Sequence, residues 1–379
     1  MSKRHKSHRQ LNYDMSLILS SLTLLLLGLV IVTSASINIA QAQLGEPLYY
    51  FWQQLAYASI GIILAIIIIF IPVQIWQRLS VSLLLLGMSL LILVLIPGIG
   101  HEVNGSMRWI RLGVIHFQPS EPMKLFMILY LADYLTRRHE EVRETLSGFL
   151  KPIMIVCLIT CLLLLEPDYG AIVVLFATVL GMLFLAGVPA RQFLLWIIIV
   201  ALALGVLIML APYRVQRLTT FMNPWADPFN SGFQLTQALI AIGRGELFGV
   251  GLGNSVQSVA YLPEAHTDFL FAILAEELGL VGVVIVISLF GFIVLRAFII
   301  AIYNERKGLD YASHLAYGIA LMIGLQASIN LGVNMGLLPT KGLTLPLMSY
   351  GGSSMIITLI MLALLLRADY EAKMGDRKL

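Results

Sequence analysis

Asp268-Phe-Leu-Phe-Ala-Ile-Leu-Ala-Glu276-Glu277-Leu-Gly279-Leu-Val-Gly-Val-Val-Ile-Val-Ile-Ser-Leu-Phe-Gly-Phe-Ile-Val-Leu-Arg296-Ala-Phe-Ile-Ile-Ala-Ile302 is the stretch on which the fold turns. It is apolar for longer than the ~20 residues a helix needs to cross a bilayer's hydrocarbon core. It therefore reads as a membrane helix with room to be tilted or broken. An acid stands at its entrance, and two adjacent carboxylates follow. Lipid offers the backbone no hydrogen-bond partners, so spans this apolar must be helices.

The rest of the chain agrees. Hydrophobic residues make up 59% of the 379 and charged residues 12%, against about a quarter charged in a soluble domain. The apolar residues fall in blocks, and the chain reads as an all-α polytopic membrane protein of ten transmembrane segments. The segments are 15–36, 51–71, 79–96, 122–135, 152–165, one from about 170 to 187, one ending near 211, 268–302, 312–333 and 350–366. Ala40-Gln-Ala42 resembles a signal-peptide cleavage site, but the first apolar run is too long for that role and reads as a retained anchor. Residues 1–14 form a basic tail, 15–367 one membrane domain, and 368–379 a second tail. With roughly two-thirds of the Lys and Arg on the side of the termini, that side is cytoplasmic by the positive-inside rule. The long interruption 212–267 then faces outward, as does the polar loop 101–121. The net charge of +3 is too small to indicate a partner. Cys157 and Cys161 read as small buried hydrophobes, and His101, His116 and His266 lack metal-ligand spacing.

The outward side collects unusual groups. Arg108, Arg111, Lys124, Arg214, Arg217, Arg244 and Lys341 all fall there. Interfacial snorkelling accounts for some of them. Lys124 lies about one turn inside its segment, where a cation is costly unless paired. It reads equally as a phosphate ligand or as a partner of Glu121. Asp268 is placed to cap the eighth segment or, with burial raising its pKa, to act as a base. Glu276 and Glu277 would lie ~12 Å further in at the helical rise, most simply as partners of Arg or Lys from a neighbouring span. Gly243 to Gly253 suit close backbone approach or tight re-entrant turns. Ser349-Tyr-Gly-Gly-Ser-Ser354 could cradle an anion or pack helices closely. Together these groups suit a lipid-linked anionic substrate.

Five motifs carry a resemblance: Asn104-Gly-Ser-Met-Arg-Trp-Ile-Arg111; Phe117-Gln-Pro-Ser-Glu121 with Lys124; Glu166-Pro-Asp-Tyr-Gly170; Leu262-Pro-Glu-Ala-His-Thr-Asp-Phe269 with Glu276-Glu-Leu-Gly279; and Pro346-Leu-Met-Ser-Tyr-Gly-Gly-Ser-Ser354. In this order they resemble the SEDS family (shape, elongation, division and sporulation) across essentially all ten segments. Asn223-Pro-Trp-Ala-Asp-Pro228 and Gly251-Leu-Gly-Asn-Ser-Val-Gln257 are more similar to its division branch than to its elongation branch. The resemblance implies a peptidoglycan glycosyltransferase that polymerises lipid II at the outer face of the cytoplasmic membrane, at the division septum. It puts the catalytic acid at Asp268. It puts substrate binding at Lys124, Arg108, Arg111, Asp168, Arg214, Glu264, His266 and Ser353. It implies no tightly bound cofactor, with a divalent cation (Mg or Mn) at most accompanying the pyrophosphate. The implied partners are lipid II, the nascent glycan strand, a class B penicillin-binding protein and other divisome proteins, in the membrane and without nucleic acid. Pro122 departs from the usual apolar residue at its position, which predicts a small re-aiming of Lys124. Two alternatives remain, a lipid II flippase and a divisome scaffold. The outward clustering of charge, with no intramembrane acid read on the cytoplasmic side, favours the enzyme.

Overall fold

The computed structural model describes residues 13–103, 106–112, 115–209, 221–230, 232–257, 262, 265–339 and 342–375. Twelve α-helices, one 3-10 turn (Pro224–Ala226) and three strands lie among them. The helices are α1 (Met15–Leu44), α2 (Tyr49–Phe70), α3 (Val73–Val94), α4 (Ser120–Arg137), α5 (His139–Glu144), α6 (Leu146–Leu165), α7 (Tyr169–Leu185), α8 (Ala190–Met209), α9 (Phe233–Arg244), α10 (Leu270–Arg306), α11 (Asp310–Asn334) and α12 (Gly352–Gly375). All but the short α5 and α9 fall on the ten apolar segments. Seven are long and apolar enough to cross a membrane by length and composition.

Helices α4, α11 and α12 form the centre. Met123, Met127, Leu129, Leu131, Ala316, Ile319, Ala320 and Leu364 are all sealed from the surface there. Helix α2 packs along α12, α3 along α4, and α10 along α11. Around this core, Leu85, Leu93, Leu158, Leu202, Val284 and Leu295 turn outward. Exposed aliphatic side chains in a belt are what a bilayer, which solvates them as well as a protein core does, allows.

The end of the bundle that holds Asp14 and Glu371 is latched by charge. Asp14 caps α1 by accepting from the Ser16 and Leu17 backbone N–H groups, both at 3.1 Å, and pairs with Arg296 of α10. Arg367 pairs with Glu371 at 2.7 Å, and Glu371 accepts the Val73 N–H at 3.0 Å. Asp133 is also near this end and is 5% exposed. This corrects the sequence reading that no intramembrane acid lies on that side. The acid is paired, receiving Gln77 Nε2 at 3.1 Å, Ser80 Oγ at 3.0 Å and Arg137 at 2.6 Å.

Two further differences, and the break for which the eighth segment left room, lie at the opposite, loop-bearing end. First, the expected polar loop 101–121 is an antiparallel sheet of β1 (Gly100–Val103), β2 (Ser106–Leu112) and β3 (Ile115–Phe117), in that order. Asn104-Gly105, a strong hairpin signal between two strands, stands in the sequence between β1 and β2. Second, the interruption 212–267 contains α9. Third, α10 is broken at Gly279 (φ 65, ψ −165). The ladder freed by the break is completed from the turn after α9. Leu280 N–H donates to the Glu246 carbonyl at 2.9 Å and Val281 N–H to the Leu247 carbonyl at 3.1 Å. In return Val250 N–H donates to Glu276 O at 2.9 Å and Gly251 N–H to Glu277 O at 3.1 Å. The approach is so close that a Cβ on Gly245 would lie 1.9 Å from the Ala275 carbonyl oxygen.

The break also relocates the two glutamates. Ser34 stands twenty residues along α1 from Asp14, which at the helical rise is ~30 Å, one hydrocarbon thickness. Ser34 Oγ donates to Glu277 at 2.5 Å, so Glu276 and Glu277 lie at the far boundary of the bundle from the Asp14–Arg296 pair. They do not lie midway through the span, because the bend at Gly279 sets the segment 270–278 off from the rest of α10, so the rise along it does not measure depth along the bundle. Glu276 accepts from Arg244 at 3.1 Å, Ser255 Oγ at 2.5 Å and Val256 N–H at 3.2 Å. Its cation comes from the loop and not from a neighbouring span.

The conformation at Gly279 is one that essentially only glycine adopts, and a non-glycine residue there costs about 1–3 kcal/mol in strain. A Cβ would also meet Gly249 N at 2.4 Å and the Leu247 carbonyl at 2.6 Å. Gly279→Ala should therefore lower the apparent melting midpoint in detergent. Gly291→Ala, whose Cβ meets nothing within 4 Å, should be neutral or stabilise by up to ~1 kcal/mol. Equal midpoints for the two variants would contradict the described break.

Candidate functional site

Four of the five sequence motifs meet at the loop-bearing end, around the segment 342–345. Asp268 lies one residue before Phe269, the N-cap of α10, and is half-buried. One N–H at the start of α10 is taken from another helix: Asn334 Oδ1 accepts the Ala272 N–H at 3.2 Å. The backbone carbonyl of Asp268 is held by two amides of α11, Asn334 Nδ2 at 2.9 Å and Asn330 Nδ2 at 3.0 Å. Its carboxylate reaches exposed Gly342, where a built Cβ would lie 3.3 Å from Oδ2. The acid thus sits on a rigid mount at the surface of the bundle end.

Lys124 is 1% exposed. Its Nζ donates to Glu121 Oε1 and to Gln326 Oε1, both at 2.9 Å. Of its two readings, the structure displays the pairing with Glu121. Pro122 sits in the first turn of α4, where its missing N–H breaks no helical bond. The ammonium and Asp268 are joined through α11 and the 343–344 carbonyls: Gln326 Nε2 donates to Thr344 O at 3.1 Å and Asn330 Nδ2 to Leu343 O at 2.5 Å.

Asp168 is 3% exposed and caps α7 through Ala171 N–H at 3.2 Å. Its other oxygen accepts Ser120 Oγ at 2.9 Å and Gln118 Nε2 at 3.1 Å, which ties the start of α7 to the start of α4. Arg108, on β2, donates to the carbonyls of Glu166 at 3.0 Å and Pro167 at 2.6 Å, so this cation clamps the motif that carries Asp168. Arg111 is exposed on the same strand, paired in register with His116. Burial, Arg111 and His101 together push the His116 pKa down. His266 is 7% exposed, its ring 4.4 Å from that of Tyr50 and 5.4 Å from that of Tyr350. Its carbonyl accepts the Tyr350 N–H at 2.9 Å. Ser353 Oγ accepts the Gln118 N–H at 2.9 Å. The small residues around it pack closely, since a Cβ on Gly352 would lie 2.6 Å from the Tyr57 ring. Arg214, Arg217, Glu264 and Lys341 lie outside the described residues.

A further hollow of about 470 Å³ opens over Arg244 to Val250. Its wall is the turn that completes the helix break, and it belongs to the scaffold. Among the described residues, no three His, Cys, Asp or Glu side chains gather as metal ligands.

A model of the cell cycle protein family (FtsW, RodA and SpoVE) matches residues 15–374. The chain belongs to this family. An FtsW/RodA/SpoVE relative from Nitrosococcus halophilus, named probable peptidoglycan glycosyltransferase FtsW, is 56% identical over 95% of this chain and 93% of its own length. A protein of the same name from Coxiella burnetii is 52% identical over 97% and 99%. Among solved structures, one chain of a peptidoglycan synthase complex that coordinates polymerization and crosslinking superposes with a TM-score of 0.80. It is 32% identical and covers 96% of this chain and 99% of that one. The rod shape determining protein RodA of Thermus thermophilus has a TM-score of 0.70 at 30% identity, covering 95% and 97%.

Sequence reasoning missed Gln326, Asn330 and Asn334. Their signal was a four-residue spacing of amides in an otherwise apolar helix, which places them on one face. It also passed over Glu166, which is fully buried with both carboxyl oxygens unpartnered. Burial, then Asp168, push its pKa up to about 8, against a smaller opposing effect of Arg108. The folded protein therefore keeps a proton on Glu166 that the unfolded chain releases near pH 4.5. Stability falls as pH rises through this window. Glu166→Gln, which mimics the protonated acid, should raise the melting midpoint little at pH 5 and much more at pH 8.5. A midpoint raised equally at both would remove the buried proton from the account.

Proposed function

We propose that this chain is a peptidoglycan glycosyltransferase of the division type. It polymerises lipid II into glycan strands at the outer face of the cytoplasmic membrane. The observation that carries the reading is the mount of Asp268. A half-buried carboxylate beside exposed Gly342, on a carbonyl held by two buried amides, stands where four sequence motifs converge.

In the reaction, Asp268 takes the proton from the 4-hydroxyl of the acceptor sugar. The hydroxyl oxygen forms a bond to the donor's anomeric carbon, and the bond from that carbon to the undecaprenyl diphosphate breaks. The diphosphate leaves with the bonding pair. A placed general base contributes about 10²- to 10⁴-fold. Cations oppose the charge that builds on the leaving group. Arg111, exposed on β2, is the described cation suited to direct contact, with Arg214 the further candidate from the sequence. Lys124 and Arg108 act behind the surface, one fixing α4 against α11 and the other fixing the Glu166 to Asp168 turn. Asp168, His266 and Ser353 shape the substrate-binding face, with Glu264 a further binding candidate from the sequence. A divalent cation is proposed only as a companion of the diphosphate, since Mg²⁺ is commonly held by one or two carboxylates plus substrate phosphates.

The partner is proposed to be a class B penicillin-binding protein, working with this chain at the septum alongside other divisome proteins. The termini are cytoplasmic and the α9 loop faces outward. A flippase would need a path open to both faces. Its remaining support, the buried acid Asp133, is answered by that acid's three polar partners.

With labelled lipid II in detergent and the crosslinking partner present, Asp268→Ala and Asp268→Asn should each cut glycan synthesis at least ~10²-fold. Polymer at the wild-type rate from either variant would remove the base from its role. Absence of polymer from the wild type would favour transport or scaffolding.

A further inference from the structure

Gln326, Asn330 and Asn334 recur every fourth residue of α11 and share one face. They are 4%, 2% and 0% exposed. Burying an amide costs unless each of its polar atoms finds a partner, and apolar side chains of the same size would fill this space without that condition. The bonds these amides make form an ordered series. Gln326 takes the Lys124 ammonium on its oxygen and gives its N–H to Thr344 O. Asn330 gives its amide group to Leu343 O at 2.5 Å and to Asp268 O at 3.0 Å. Asn334 gives to Asp268 O and takes the Ala272 N–H. One helix face therefore holds the buried cation, the segment beside Gly342 and the acid in a single register.

We propose that Asn330 is a positioning residue for sugar transfer. It fixes the main chain at Asp268 against the main chain at Leu343, so that the carboxylate stays aimed past Gly342. Gln326 does the same for the Lys124 end of the series. The inference rests on the transferase reading above. The bond geometry supplies the reason. The carbonyl and the carboxylate-bearing Cβ leave the same Cα, so a peptide held by Asn334 alone, no longer tied to Leu343, can turn about that one remaining bond and carry the carboxylate with it. A misplacement of about 1 Å from a change outside the chemistry costs ~10²-fold. The charged groups along this face are Asp268 before α10, Lys124 with Glu121 on α4, and Asp168 at the start of α7, whose neighbour Gly170 packs on Leu343.

The test uses the full-length protein with its crosslinking partner and labelled lipid II, giving kcat and KM between pH 6 and 8, with melting midpoints measured in parallel. Asn330→Ala should lower kcat about tenfold to a hundredfold and leave KM within a factor of about three. Asn330→Asp keeps the shape but, when ionised, offers only acceptors to two carbonyls. Burial raises the pKa of such an acid, and its protonated form regains one donor. Its kcat relative to wild type should therefore rise as pH falls from 8 to 6. Should Asn330→Ala not yield folded protein, the pH profile of Asn330→Asp decides alone.

A kcat for Asn330→Ala equal to wild type overturns the inference. So does a flat ratio for Asn330→Asp across the pH range, which marks a purely structural role. If Asp268→Ala is inactive while Asn330→Ala is fully active, only the positioning role falls. If Asp268→Ala is itself fully active, Asp268 loses its role as base and this inference falls with it; if the wild type makes no polymer, the transferase reading falls and takes the inference with it.

Discussion

A helix that breaks at the edge of a bilayer must find partners for the backbone groups it frees, and this requirement organises the loop-bearing end. At Gly279 the freed N–H groups of Leu280 and Val281 are taken by the carbonyls of Glu246 and Leu247, and the carbonyls of Glu276 and Glu277 accept from Val250 and Gly251. Unsatisfied, each such group would cost several kcal/mol in hydrocarbon. Glycine supplies both the bend and the room, since a Cβ at Gly245 or Gly249 would come within 1.9 Å or 2.1 Å of a carbonyl oxygen. The two glutamates then stitch the same turn to α1 and α9. Only because the break is sealed can residues 268–278 turn in toward α11, which is what places Asp268.

The electrostatics of the site follow from burial more than from the number of cations. A buried lysine is stable here because it has both an acid and an amide oxygen, and removing one partner of such a pair leaves an uncompensated charge. Arg108 has given two of its donors to main-chain carbonyls. Cations that look alike in the sequence thus divide into those that hold the scaffold and those left at the surface, such as Arg111. Among the acids, Asp168 with its three donors likewise holds the scaffold, tying the start of α7 to the start of α4.

Much of this was legible in the residues, and the rest was hidden for physical reasons. The apolar segments could be read because bilayer thickness fixes their length. Asp268 could be placed at the entrance of the eighth because polarity changes sharply there. The depth of Glu276 and Glu277 could not, since the rise along 268–277 measures depth only if that segment continues the line of the helix, and the bend at Gly279, sealed by the turn 246–251, breaks that line. The sheet at 100–117 left a visible mark in Asn104-Gly105 that was read as loop. Asn330 and its neighbours left almost none: an amide in an apolar helix gives the same signal whether it packs, caps or positions. The pairing of Lys124 was one of two readings, and only the bundle's closure around it chose.

The central claim is that the acid at the mouth of α10 faces the reacting sugar from the loop-bearing end. The most direct measurement is a structure of the protein holding a non-transferable analogue of the lipid-linked donor. The account predicts the donor's diphosphate at the end of the bundle that carries β2, with the sugar against the Asp268 carboxylate beside Gly342. A headgroup bound at the opposite end near Asp133, or one seated at the loop-bearing end with its sugar out of reach of Asp268, would contradict it.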